Sequence, residues 1–199
     1  MSATEEHLVH CATRRARGGW LAAVMVSAFA TASVSAAEPA LRSLDPPRLE
    51  LVMQLVVTCS AAESVGGESD ESKDGRRGRV WPIIGGRFFG KDVRGTVVPG
   101  GGDFPVVRPD GVVVVDALYR LKTDDGVTIL IHNKGLAYQE QPGKVRYRLT
   151  PEFTAPKGRY DWLNKSVFVS TLVVPVPPEL ALAKGANEND RLIEVYRVY

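Results

Sequence analysis

Residues 84–104, IGGRFFGKDVRGTVVPGGGDF, decide how this chain reads. Seven of these twenty-one residues are glycine: Gly85, Gly86, Gly90, Gly95, Gly100, Gly101 and Gly102. Between them lie short β-prone pieces, residues 87–89 and 93–98. Glycine inside a strand-like run marks a bulge, a bend or the close approach of another backbone. A Pro-Gly-Gly-Gly-Asp run marks a loop that needs positive φ. The stretch therefore predicts two strands of a strongly curved sheet, bent at Gly85-Gly86 and at Gly95, followed by a rigid wide turn presenting Asp103 and Phe104. A phosphate cradle does not fit, because Gly90-Lys91 is followed by Asp92 and β-branched residues rather than by Ser/Thr and a helix.

Working outward, residues 48–58 (RLELVMQLVVT) alternate, with Leu49, Leu51, Met53, Leu55 and Val57 on one face, as a half-buried strand does. Residues 61–79 are polar, charged and glycine-containing, and read as a flexible loop. Residues 111–122 (GVVVVDALYRLK) and 127–134 form a hairpin about Asp125-Gly126, since Asp-Gly between β-branched runs is a strong turn signal. Further strands are expected at 144–150, 166–174 and 192–199. Strands this dense, with turns at short intervals, imply a closed barrel or a sandwich. Glycine bends and a last strand able to pair with the first favour an all-β fold, a small antiparallel β-barrel.

At the other end of the chain, Arg14, Arg15 and Arg17 precede an apolar run at 20–32 and then the small residues Ser33-Val34-Ser35-Ala36-Ala37. That order reads as a signal peptide over 1–36, with 37–47 as a linker, 48–199 as the single domain and an exported, periplasmic or secreted location. An uncleaved anchor is the alternative, although the run is shorter than the ~20 residues a stable membrane span needs. The formal net charge is +2, which gives no electrostatic case for nucleic acid or an anionic membrane. Outside the leader only Cys59 and His132 remain of the cysteines and histidines, so no intramolecular disulfide and no Cys/His metal site is expected. No cofactor motif is present.

Three blocks, GGRFFGKDVRGTVVPGGGDF, VVDALYRLKTDDGVTILIHNKG and YRLTPEFTAPKGRYDWLNKSVFV, resemble the uncharacterised family known as domain of unknown function 3237, or uncharacterised protein family 0311. The resemblance spans residues 49–199. It implies a lipocalin-like or calycin-like β-barrel, often self-associating, and implies no established activity. Phe104 stands where that family often has tryptophan, and the leader is an addition that most members would not need.

Small barrels fill their interior or hold one small ligand at the mouth. On the 111–122 strand Val112, Val114, Asp116, Leu118 and Arg120 share one face, and Val113, Val115, Ala117, Tyr119 and Leu121 the other. One reading groups Asp116, Arg120 and Arg148 as a polar cluster lining the cavity, with Asp103 and Phe104 at its rim. The other makes the same charges a cross-strand ladder facing solvent, since alternation does not say which face is inside. Tyr160, Trp162 and Asn164, two apart in RYDWLN, would point one way in an extended segment and cap a cavity, or else plug the barrel end. The functions compatible with these residues are binding of a small apolar or aromatic molecule, cofactor-free acid–base catalysis by an isomerase, cyclase or hydratase, or a ligand-free homo-oligomer, a homodimer in the simplest case.

Overall fold

Residues 113–122, apolar at every odd position and polar at Asp116, Arg120 and Lys122, make a strand with one buried and one wet face, and this pattern recurs along the chain. The computed structural model describes residues 41–65, 75–182 and 188–199. The leader at 1–36 lies outside the described residues, as does part of the 61–79 loop. The strands are β1 Leu49–Cys59, β2 Glu63–Val65, β3 Arg77–Gly90, β4 Arg94–Asp103, β5 Val106–Val107, β6 Val113–Thr123, β7 Thr128–Gln141, β8 Lys144–Thr154, β9 Val167–Val173 and β10 Asp190–Val198.

Eight of them close an antiparallel barrel in chain order: β1, β3, β4, β6, β7, β8, β9, β10 and back to β1. The closing seam joins the first and last strands, Leu49 opposite Val198 through Thr58 opposite Asp190. Closure leaves none of these eight with an unpaired edge. Two pieces of the segment expected as loop are strand instead. Residues 63–65 form β2, and 77–79 begin β3 opposite it. The short β5 bridges β3 and β6 at the same end of the barrel.

The glycine-rich stretch behaves as expected in its first half and differently in its second. β3 shifts register between Ile83 and Arg87, where Gly85 and Gly86 bend it. The wide turn expected at Pro99-Gly100-Gly101-Gly102 is instead strand, because β4 continues through it with a bulge against β6 between Val98 and Gly102. The reason is close approach: a Cβ on Gly101 would lie 2.5 Å from the Tyr119 Cβ and 2.7 Å from the Leu118 carbonyl oxygen. Only a residue without a side chain lets the two strands pair there.

Inward-facing residues fill most of the barrel. Leu55, Val57, Ile83, Phe88, Val97, Tyr119, Leu121, Ile129, Ile131, Ile193 and Val195 are buried in one cluster. Each fully buried aliphatic side chain contributes about 2 kcal/mol through removal of apolar surface from water. One end is stoppered by a 3-10 turn, Asp161–Lys165. Below it Phe153 and Phe168 pack edge to face with centroids 5.1 Å apart, and Trp162 meets Phe168 at 5.9 Å. The opposite end, where β1, β4, β7 and β9 finish and β3, β6, β8 and β10 begin, is less completely filled.

Candidate functional site

At that less filled end the inward positions change from purely apolar to mixed. Cα pairing sets Trp81, Asp103, Ala117 and Asn133 in one row across β3, β4, β6 and β7. Beyond the row a cavity of about 280 Å³ opens, lined by Cys59, Arg79, Trp81, Asp103, Pro105, Val107, Val113, Val115, Tyr147, Leu172 and Arg191. Most of this lining is apolar, and the polar groups sit among it singly. Each comes from the terminal part of a different strand, so the barrel wall fixes their spacing.

Asp103 is the acid of the cavity. Its Oδ1 accepts the backbone N–H of Asp116 at 3.2 Å. Burial pushes its carboxyl up to about 6, with the nearby Asp116 carboxylate adding to the rise and the backbone N–H groups and Arg191 opposing it. A carboxyl whose proton is held to that range sits between donor and acceptor states near neutral pH. Burial likewise raises the Tyr147 hydroxyl, against the field of Arg191. It pushes the Cys59 thiol up to about 11, which makes a thiolate nucleophile scarce at neutral pH.

Arg191 comes from the start of β10, where alternation with Ile193 and Val195 turns it inward. Its guanidinium lies 4.9 Å from the centroid of the Trp81 ring. One nitrogen, Nη1, donates to the carbonyl oxygens of Glu188 at 3.2 Å and Asp190 at 3.1 Å. Deeper in the barrel, Ser170 Oγ donates to Asn133 Oδ1 at 3.3 Å, and both residues are buried. The Tyr119 hydroxyl is buried without a hydrogen-bond partner among the described residues, and the charges of Asp103 and Cys59 both act on it.

The structure separates the residues singled out from sequence. Asp103 lines the cavity. Phe104 does not: it is half exposed on the outer face, its ring lying against Gly102. Asp116 and Arg120 also face outward, since Ala117, Tyr119 and Leu121 take the inner face of β6. Asp116 Oδ1 pairs with His132 Nε2 at 2.5 Å across β6 and β7, and Arg120 Nη2 donates to the Pro99 carbonyl at 3.0 Å. Arg148 is exposed, donating to the Tyr147 carbonyl at 2.7 Å, and Arg146 pairs with Glu140. These charges form the outer ladder rather than a cavity cluster.

Tyr160, Trp162 and Asn164 lie at the stoppered end, and they do not point together, because a 3-10 turn has three residues per turn. Tyr160 is buried and donates to Asp125 Oδ1 at 2.9 Å. Asn164 clips the chain by bonding both the N–H and the carbonyl of Ala155 at 2.9 Å.

Trp81, Tyr147 and Arg191 were not singled out by sequence reading. The signal was the same alternation: Tyr147 lies between outward arginines in KVRYRLT, and Arg191 leads the inward series in RLIEV. Among the described residues there is no group of three or more His, Cys, Asp or Glu side chains able to hold a metal ion.

Comparison with known proteins places this arrangement. The family model described as a protein of unknown function, DUF3237, matches residues 47–177. A curated UPF0311 protein of Clostridium acetobutylicum is 35% identical over 108 residues, covering 48% of this chain and 68% of the relative. A β-barrel-like protein of Acinetobacter baumannii superposes with a TM-score of 0.65 at 22% identity, covering 80% of this chain and 100% of its own. An enzyme of Penicillium herquei superposes with a TM-score of 0.57 at 23% identity, covering 79% and 98%. At such identity the two solved structures establish a shared fold alone. Since the matched residues run from the first barrel strand past the ninth, the chain belongs to the DUF3237 family of proteins of unknown function.

Proposed function

We propose that this protein binds a small apolar or aromatic molecule in the cavity at the less filled end of the barrel. The observation that carries this reading is the lining itself: Trp81, Val113, Val115 and Leu172 supply apolar walls, while Asp103, Tyr147 and Arg191 converge on the same space. A mostly apolar concavity with a few convergent polar groups is the usual form of a small-molecule site. A volume of about 280 Å³ is at the small end of such sites and suits a molecule of one or two rings. The test is native mass spectrometry of the purified chain, followed by denaturing extraction. A small organic molecule at one per chain is the expected result. An empty protein that also forms no adduct with 2-naphthamide, a neutral two-ring probe, contradicts the reading.

A second reading, cofactor-free acid–base catalysis on such a molecule, is favoured by the Asp103 carboxyl, which burial pushes up to about 6. A group with that proton affinity suits both the taking and the giving of a proton near neutral pH. The likeness to a solved structure described as an enzyme adds an analogy of fold. In this reading Asp103 takes the acid–base role, and Asp116 on the outer face does not. Loss of turnover with retained binding in Asp103→Asn would separate catalysis from simple binding.

A further inference from the structure

We propose that the ligand of this cavity is a planar apolar acid, its anionic group held by the guanidinium of Arg191. The inference rests on the cavity being a ligand site and names the chemistry it selects. Its lining contains two guanidinium groups, Arg79 and Arg191, against one carboxyl, Asp103. One oxygen of that carboxyl, Asp103 Oδ1, already accepts the backbone N–H of Asp116.

Arg191 forms no ion pair with a carboxylate among the described residues. The carbonyl oxygens of Glu188 and Asp190 hold Nη1, and the Trp81 ring supports the flat of the guanidinium. Five N–H donors on a rigid planar fork leave Nε and Nη2 to meet a two-oxygen anion once Nη1 is fixed. Arg191 shares the lining with Cys59, Asp103 and Tyr147, so its guanidinium faces the same space as they do. A positive group held among Trp81, Val113, Val115 and Leu172 attracts an anion more strongly than it would in water. Those same side chains give a flat hydrocarbon body its contact surface.

The probes are 2-naphthoate and its neutral counterpart 2-naphthamide, titrated calorimetrically into the full chain at pH 7.5. Wild type is expected to bind the carboxylate about 10- to 100-fold more tightly than the amide, the range of a charge-assisted hydrogen-bonded pair. Arg191→Met is expected to erase that preference and to leave amide affinity within about threefold, since the apolar walls remain. Should Arg191→Met fail to fold by circular dichroism, Arg191→Lys carries the test, with about a tenfold loss for the carboxylate and none for the amide because the fork is gone. Equal affinity of wild type for both probes, or unchanged 2-naphthoate binding in either variant, overturns the anionic class while the cavity reading stands. Absence of binding by both probes overturns the two together.

Discussion

Replacing Gly86 with alanine is expected to destabilise the barrel severely, with a loss of about 4 kcal/mol or more, most of the stability of a protein at the low end of the typical 5–15 kcal/mol. Two independent effects combine at this position. The backbone has φ of +135°, a conformation that L side chains rarely adopt. A Cβ there would also lie 2.1 Å from the Val56 carbonyl oxygen and 3.1 Å from the Val57 Cα. The obstructing atoms are backbone, so no rotamer change relieves the clash. Moving them would break the β1–β3 pairing, where Gly86 stands opposite Val57. Gly85→Ala is the control: its Cβ meets nothing within 4 Å, leaving only the backbone cost of about 1–3 kcal/mol. Soluble yield and circular dichroism of the two variants check this. A folded Gly86→Ala barrel with wild-type melting behaviour would show that β1 and β3 do not approach as closely as described.

Asp103→Asn is expected to be more stable than wild type at pH 8 and equal to it at pH 4. The Asp103 carboxyl has its folded-state value raised from 3.8 to about 6, chiefly by burial. Below about pH 4 it is protonated both folded and unfolded, so its contribution is fully present. Between pH 4 and 6 the unfolded chain gives up the proton while the folded chain keeps it, and stability falls as pH rises. Above pH 6 the folded chain carries a buried charge, a loss on the order of 2–3 kcal/mol.

Asparagine keeps the acceptor for the Asp116 N–H and removes the charge, so the variant escapes that loss. Glu50, Asp125, Glu140 and Asp161 are held below the ordinary carboxylate range, first of all by side-chain hydrogen bonds, and give the opposite slope in acid. Both proteins share them, so the difference between the two urea-denaturation profiles isolates Asp103. A variant less stable than wild type at pH 8 would mean that the ionised carboxylate is favoured inside the barrel. A buried acid that lowers stability at neutral pH is the kind of group a binding or catalytic site retains.

Much of this fold was legible in the sequence. The period-two runs, the Asp-Gly hairpin and the terminal strand gave the antiparallel barrel, because alternation and turn chemistry are local properties of the chain. The continuation of β4 through Pro99-Gly100-Gly101-Gly102 was not legible, since the reason for it is Tyr119, eighteen positions away in sequence and adjacent only after pairing. The site divides in the same way. Asp103 was identified as a rim residue, and the charged face of β6 was left open between a cavity cluster and a solvent-facing ladder, of which the structure has the ladder. Alternation fixes two faces without saying which is inside. The inner face is decided by packing, and Tyr119 and Leu121, almost fully buried, belong to it. Tyr160, Trp162 and Asn164 were left open between an extended cap and a plug of the barrel end, and the chain turns to close that end, with Phe153, Phe168 and Trp162 packed beneath the turn.

If a ligand sits in the cavity lined by Asp103 and Arg191, obstruction of that space will weaken its binding. Val113 lines the cavity at the first residue of β6, where a larger side chain projects into the opening with least disturbance of the barrel core. Calorimetric titration of 2-naphthoate into wild type and Val113→Phe, both checked for fold by circular dichroism, is the measurement. One saturable site per chain in wild type, weakened at least about tenfold in Val113→Phe, is the expected result, from steric loss of the apolar contact surface. Equal binding by the two proteins would place the ligand elsewhere and contradict the account.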